Sequence, residues 1–243
     1  MASTVRRLGL IGLIAVIGAV AIYVNAQTPP EMRMEKLADN LFVITDSIDD
    51  GNTVVLVRSG GAVIVDTKSM RGGQRLLETI RGLTDKPVTH ILHTHHHYDH
   101  VGGNGFFPSS VEVIAHEHAA ARMPEMEEFS ATERKHGLPD RTFKDTLTLF
   151  SGADAIDLYH FGAAHTDNDT FIVFRRLGVM HAGDTFPGMN AVERHGGSRQ
   201  AYPATMNRAT QIEGVRTVIP GHGARKTWQE FLDHAAALRK GER

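Results

Sequence analysis

Five histidines, His93, His95, His96, His97 and His100, fall within eight consecutive positions, and Asp99 stands among them. No core can bury that many imidazoles and a carboxylate side by side without giving each a partner. The cluster therefore belongs where a strand ends and a cleft begins. Its flanks agree: Val88–Leu92 reads as a short buried strand, and Gly102-Gly103 reads as a sharp turn after the cluster. On extended backbone His95 and His97 project to one side and His96 to the other, exposed. Two imidazoles on one side, with a third nitrogen from elsewhere, make the open three-ligand zinc site of catalysis. Asp99 and His100 follow at the turn, close enough to hold a second ion. One pair of histidines spaced by a residue would read as ordinary surface; four candidate ligands, His95, His97, Asp99 and His100, in the six positions 95–100 read as a metal site.

The 243-residue chain is long enough for one domain with a sizeable core. Arg6 and Arg7 precede an apolar run, Leu8 to Val24, and Val24-Asn25-Ala26 offers a small-residue cleavage site, so residues 1–26 read as a secretory signal peptide. A retained anchor is the competing reading, because about 17 apolar residues is at the short limit for a span. Either reading places the functional part outside the cytoplasm, periplasmic or secreted, with membrane contact only if the segment is retained. Residues 27–40, with Pro29-Pro30, read as a polar N-terminal tether, and residues 41–243 as a single domain. The chain has no cysteine, which removes disulfides from its stability and thiolates from its ligands and nucleophiles. A net charge of −2 with no dense Lys/Arg run gives no support for nucleic-acid binding. Nothing in the sequence sets an oligomeric state.

Within the domain, Leu41–Ile44, Thr53–Val57, Ala62–Asp66 and Val111–Ala115 read as strands, with a helix over Gln74–Leu83 led in by Gly72-Gly73 and another over His116–Met123. Positions 124–140 are charged and irregular. Thr146–Phe150, Ala155–Phe161 and Thr170–Phe174 alternate like an antiparallel sheet. Val179–Ala182, Tyr202–Ile212, Thr217–Ile219 and Trp228–Leu238 continue as strand, helix, strand and helix. Two β-rich runs, each carrying helices, imply two sheets packed face to face with helices outside.

Three later positions carry ligand-type side chains at strand ends beside small residues. They are His165 in Gly162-Ala163-Ala164-His165-Thr166, Asp184 at the end of the apolar run Gly178-Val179-Met180-His181-Ala182-Gly183, and His222 in Pro220-Gly221-His222-Gly223. The succession H-x-H-x-D-H, G-x-x-H-T, G-D-T and P-G-H-G, with Val65-Asp66-Thr67 before it, resembles the metallo-β-lactamase-fold hydrolases from about Leu41 to Trp228. The resemblance implies an α/β fold, a four-layer αβ/βα sandwich with metals at one edge. It assigns His95, His97 and His165 to one ion, Asp99, His100 and His222 to a second, and Asp184 as the bridge between them. Asp66 is then an outer residue orienting a ligand histidine.

A dinuclear zinc site of this kind would acidify a bridging water, the hydroxide would attack a carbonyl, and Asp99 would orient it or carry its proton away. Iron and manganese accept the same donors. The expected reaction is hydrolysis of an ester, lactone, thioester or amide in a small molecule. β-Lactam hydrolysis is the alternative, set against by Asp184 where β-lactamases with the related first motif commonly use cysteine. Thr185-Phe186-Pro187-Gly188 also lacks the lysine that follows it in those enzymes. A metal-binding protein of the same fold with little turnover is the reading of another class. Of the other histidines, His93 reads as a buried support for the loop. His116, His118, His160 and His195 read as structural, with lining of the cleft as the alternative; Gly196-Gly197-Ser198 reads as a flexible loop near the mouth, and Trp228 as packing for its helix.

Overall fold

The strands Leu41–Asp46 (β2), Thr53–Arg58 (β3) and Gly61–Val65 (β4) send alternate residues into two different cores. Leu41, Val43, Val54, Leu56, Val63 and Val65 face one, whereas Ile44, Val55, Ala62 and Ile64 face the other. A sheet apolar on both faces must be covered on both faces. The computed structural model describes residues 29–188 and 190–241 and shows how.

One sheet has seven strands in sequence order, adding Met32–Ala38 (β1), Val88–Leu92 (β5), Glu112–His116 (β6) and Arg141–Phe143 (β7). β1 to β4 pair antiparallel, and β4 to β7 pair parallel. The other has six: Thr146–Leu149 (β8), Ile156–Tyr159 (β9), Phe171–Phe174 (β10), Val179–Gly183 (β11), Thr217–Pro220 (β12) and Lys226–Thr227 (β13). β8 to β11 form an antiparallel meander, β12 joins β11 parallel, and β13 closes the far edge antiparallel.

The inner faces meet in one core, where Leu41, Val54, Val63 and Leu92 pack with Ile156, Leu158, Ile172 and Ile219. Helix α1 (Met70–Leu83) covers the first sheet's outer face with Leu76, Leu77 and Ile80. Helices α3 (Tyr202–Ala209) and α4 (Trp228–Lys240) cover the second with Met206, Ala209, Phe231 and Ala235. Each large apolar side chain so buried contributes about 1.5–3 kcal/mol. The architecture is the expected four-layer sandwich.

Several local expectations change. Residues 32–38 of the expected tether form β1, paired with β2 from Met32↔Asp46 to Ala38↔Leu41. Helix α1 begins at Met70 and takes in Gly72 and Gly73, because its first turn packs on the post-cluster loop: a Cβ on Gly73 would lie 2.5 Å from Gly103 Cα. Gly102 and Gly103 have ordinary helical φ of −63° and −79°, so they are not conformational hinges. Gly103 is needed for close approach, since a Cβ there would overlap the Thr67 carbonyl oxygen. The helix expected to reach Ile212 stops at Ala209. Among positions 124–140 the chain runs in short 3-10 turns, anchored by Met123 and Phe129 against Val101. Trp228 stacks on Phe231 with ring centroids 5.0 Å apart. Among the described residues no helix is long and apolar enough to cross a membrane, and the expected signal segment, residues 1–26, lies outside the described residues.

Candidate metal centre

Every expected ligand emerges at a strand end or in a loop between strands. Asp66 follows β4, and His93 to His100 follow β5, with Tyr98–Val101 forming one helical turn, α2. His165 lies in the β9–β10 connection, Asp184 follows β11, and His222 follows β12. Together they assemble two groups, His95, His97, His165 and Asp184, and then Asp99, His100 and His222. Asp184 divides its oxygens between them. Its Oδ2 lies 3.7 Å from His95 Nε2 and 3.4 Å from His165 Nε2. Its Oδ1 lies 3.3 Å from His100 Nε2 and 3.5 Å from His222 Nε2, and Asp99 Oδ2 lies 3.3 Å from the same His222 nitrogen. Gly221 makes the approach sterically feasible, because a Cβ there would overlap Asp184 Oδ1.

The outward nitrogen of each histidine is tied to an acceptor, and this sets which nitrogen faces inward. His100 Nδ1 donates to Asp66 Oδ2 at 2.7 Å. His165 Nδ1 donates to the Asn190 carbonyl at 2.8 Å, and His222 Nδ1 donates to the Asp49 carbonyl at 2.8 Å. His95 Nδ1 lies 3.1 Å from Thr94 Oγ1, whose own proton goes to Asp66 Oδ2 at 2.6 Å. His97 is reversed: Nε2 pairs with His195 Nδ1 at 2.7 Å, leaving Nδ1 to face His165 Nε2 at 3.1 Å. Asp66 also accepts from Thr94 N at 2.9 Å and stands 3.3 Å from His93 Nδ1, so one fully buried carboxylate organises the whole β5 terminus. It does so from φ +61°, a conformation costly for a non-glycine residue and held by these bonds.

The inward atoms fit a cation. His95 Nε2, His100 Nε2, His222 Nε2 and Asp184 Oδ1 are buried without a hydrogen-bond partner, and orphaned buried polar atoms are costly. Two donors about 2.0–2.1 Å from one tetrahedral zinc ion stand roughly 3.4 Å apart. The inward separations of 3.1–3.7 Å match that spacing.

Electrostatics point the same way. Burial, reinforced by His100 for His95 and by His165 for His97, drives His95 well below the ordinary imidazole range and His97 to about 2. These two are neutral lone-pair donors. Burial works against the charge of His100 and His222, but the carboxylates outweigh it: Asp184 and Asp66 hold His100 well above its ordinary range, and Asp184 and Asp99 push His222 up to about 10. Asp184 is buried yet held well below the carboxylate range by His100 and His95. A cleft of about 260 Å³ opens beside the first group, lined by His96, His97, Tyr98, Arg122, Met126 and His195, and Tyr98 is 59% exposed at its edge.

Some expectations fail here. His96 is buried, 4% exposed, with Nδ1 3.0–3.3 Å from the Asn168 amide and its backbone N–H donating to Asn168 Oδ1 at 3.1 Å. His195 takes the alternative to its structural reading, since it lines the cleft and touches His97. The Gly196–Ser198 loop is stitched down by Gly197 N to Val192 O and Ser198 N to Ala164 O. His93 supports the loop as expected, with Nε2 2.9 Å from Asn104 Nδ2. His116, His118 and His160 gather in a separate cleft with Lys144 and Arg208. Thr94, Asn52, Asn168 and the carbonyls of Asp49 and Asn190 escaped sequence reading; backbone acceptors leave no side-chain signature.

A family model described as the metallo-beta-lactamase superfamily matches residues 47–238. A metallo-beta-lactamase type 2 of Elizabethkingia meningoseptica is 27% identical across 93% of this chain and 92% of its own length. The 2,4-dinitroanisole O-demethylase subunit alpha of a Nocardioides strain is 28% identical across 72% of this chain, which spans about half of that protein, 51%. Among solved structures, a metallo-beta-lactamase from Pontibacter korlensis superposes with a TM-score of 0.71 at 20% identity, covering 86% of this chain and 99% of its own.

Proposed function

The chain belongs to the metallo-beta-lactamase superfamily, and on that premise we propose that it is a dinuclear zinc hydrolase cleaving an ester, lactone, thioester or amide bond in a small molecule. One observation carries the reading: the two oxygens of Asp184 face two separate sets of inward-turned ligand atoms. His95, His97 and His165 would hold one ion, Asp99, His100 and His222 the other, and Asp184 would bridge them. The nitrogen-rich first group suits zinc, although iron and manganese accept the same donor types. Bound ions of this kind polarise a carbonyl and lower the pKa of water to about 7.

The protein's own residues do the rest. Asp66, Thr94, Asn190 and Asp49 orient the imidazoles before anything binds, so little reorganisation is left to the reaction. The Asp99 side chain keeps 17% of its surface in solvent; burial opposes its charge, yet His222 and His100 hold it ionised. It is placed to orient an attacking water and carry a proton towards solvent. The exposed ring of Tyr98, beside Met126, offers an apolar surface for the non-reacting part of a substrate.

β-Lactam hydrolysis is the second reading, supported by the near full-length match to the Elizabethkingia relative. The stretch Thr185–Gly188 holds no cation for a β-lactam carboxylate, which favours the broader class. The N-terminal segment, residues 1–26, supports an exported protein, periplasmic or secreted. Metal content of the purified mature chain, read beside a panel of lactone, thioester, phosphodiester and chromogenic β-lactam substrates, separates the readings. Lactone, ester or thioester turnover supports the proposal. Cleavage of the β-lactam alone would replace it, and two metal equivalents with no turnover would favour a binding protein.

A further inference from the structure

Four of the five inward-facing histidines lean on acceptors that do not titrate near neutral pH: two backbone carbonyls, a threonine hydroxyl and the Asp66 carboxylate. His97 leans on another imidazole. Its Nε2 stands 2.7 Å from His195 Nδ1 while its Nδ1 faces His165 Nε2 and the Asp184 group. The pair is too close to share an ion. Two nitrogens on one zinc stand roughly 3.4 Å apart, and 2.7 Å is a hydrogen-bond distance. A hydrogen bond needs one proton, and the inward role of His97 Nδ1 requires that proton on His97 Nε2. His195 must then accept through Nδ1. Arg194 Nε also reaches the His195 ring, 3.4 Å from Nε2 on the exposed rim, a contact too long beside the 2.7 Å pair to dictate the opposite arrangement.

The backbone presents His195 in this role. Its 3-10 turn, Glu193–His195, is sewn to the strand-end loop that carries His165. Val192 N donates to His165 O at 2.8 Å, and Asp167 N donates to His195 O at 3.2 Å. Gly197 N returns to Val192 O at 3.1 Å. One loop therefore fixes His165 and, through His195, His97.

We propose that His195 is a positioning residue for the first metal group, holding His97 in the tautomer and ring orientation that turn Nδ1 towards His95, His165 and Asp184. This rests on the reading of His97 as a metal ligand. Outer partners of this kind are worth about 10–100-fold in metal affinity.

The test is zinc affinity by chelator competition in two backgrounds. His222→Ala cripples the second group and isolates the first; His165→Ala does the reverse. His195→Ala should weaken the remaining ion about 10–100-fold in the His222→Ala background and leave it unchanged in the His165→Ala background. His195→Asn, whose side-chain oxygen can take the place of the accepting nitrogen, should recover most of the loss. No effect of His195→Ala on the first ion overturns the proposal, as do equal losses in both backgrounds or an asparagine variant no better than alanine. A parent chain with intact His195 that binds no zinc at all overturns the metal reading first and this proposal with it.

Discussion

Asp66 Oδ2 accepts the Nδ1 proton of His100 at 2.7 Å, and both side chains are fully buried. The same carboxylate receives Thr94 N and Thr94 Oγ1, and through Thr94 it reaches His95. One residue thereby orients histidines of both candidate metal groups. Asp66→Asn exchanges an acceptor for a donor at this junction. Affinity for both ions should fall about 10–100-fold, measured by chelator competition, and buried donors left unpaired should cost about 1–3 kcal/mol each in chemical denaturation.

Asn52 ties the β2–β3 turn to the His222 loop. Its Nδ2 donates to Pro220 O at 3.0 Å and to Gly223 O at 2.9 Å, while its backbone N donates to Gly221 O. Asn52→Ala removes both side-chain bonds and leaves His222 at the end of a loosened loop. The ion held with His222 should be weakened more than the one held with His165, with a stability loss of about 1–3 kcal/mol. Equal weakening of both ions, read by competition titration, would contradict this.

Lys68 is wholly enclosed, with Nζ 3.1 Å from Asp46 Oδ2, 2.8 Å from Gly51 O and 3.1 Å from Ile44 O. Lys68→Met strands a buried carboxylate and should cost about 3–5 kcal/mol. Adding Asp46→Asn should restore part of that loss, because it removes the unpaired charge. Urea denaturation of the two variants checks the order.

Metal uptake should release protons. In the metal-free chain His222, pushed up to about 10, and His100, held well above its ordinary range, carry protons at pH 7.5. Ligation needs those lone pairs free, so binding at the Asp99, His100 and His222 group should expel up to about two protons. Calorimetry in buffers of different ionisation enthalpy reads the number. The sign is definite: release shrinks above pH 10 and does not turn to uptake. The same raised pKa values stabilise the metal-free fold below about pH 6.5, and that contribution fades as pH rises towards 10.

The sandwich and the seven ligand-type residues were legible because both rest on local signals. Continuous apolar runs such as Thr53–Val57 mark strands covered on both faces, and His95, Asp184 and His222 each lie shortly after such a run. β1 was not legible because it is a mostly exposed edge strand, Met32–Ala38, whose polar residues give no alternation. The burial of His96 depends on Asn168, 72 residues away, and the role of His195 depends on a loop folded back onto His165. Neither distance has a local signature. In sequence the glycine pair after the cluster reads as a turn, whereas packing of Gly103 against Thr67 is what requires it.

The central claim is a pair of ions bridged by Asp184. Metal analysis of the purified chain after exhaustive dialysis tests it directly, with His165→Ala, His222→Ala and Asp184→Ala beside the parent. The parent should retain two equivalents of zinc per chain, each histidine variant about one, and Asp184→Ala neither at comparable affinity, with hydrolysis falling in step. A parent chain that retains no metal, or full turnover by metal-free His95→Ala protein, would contradict the account.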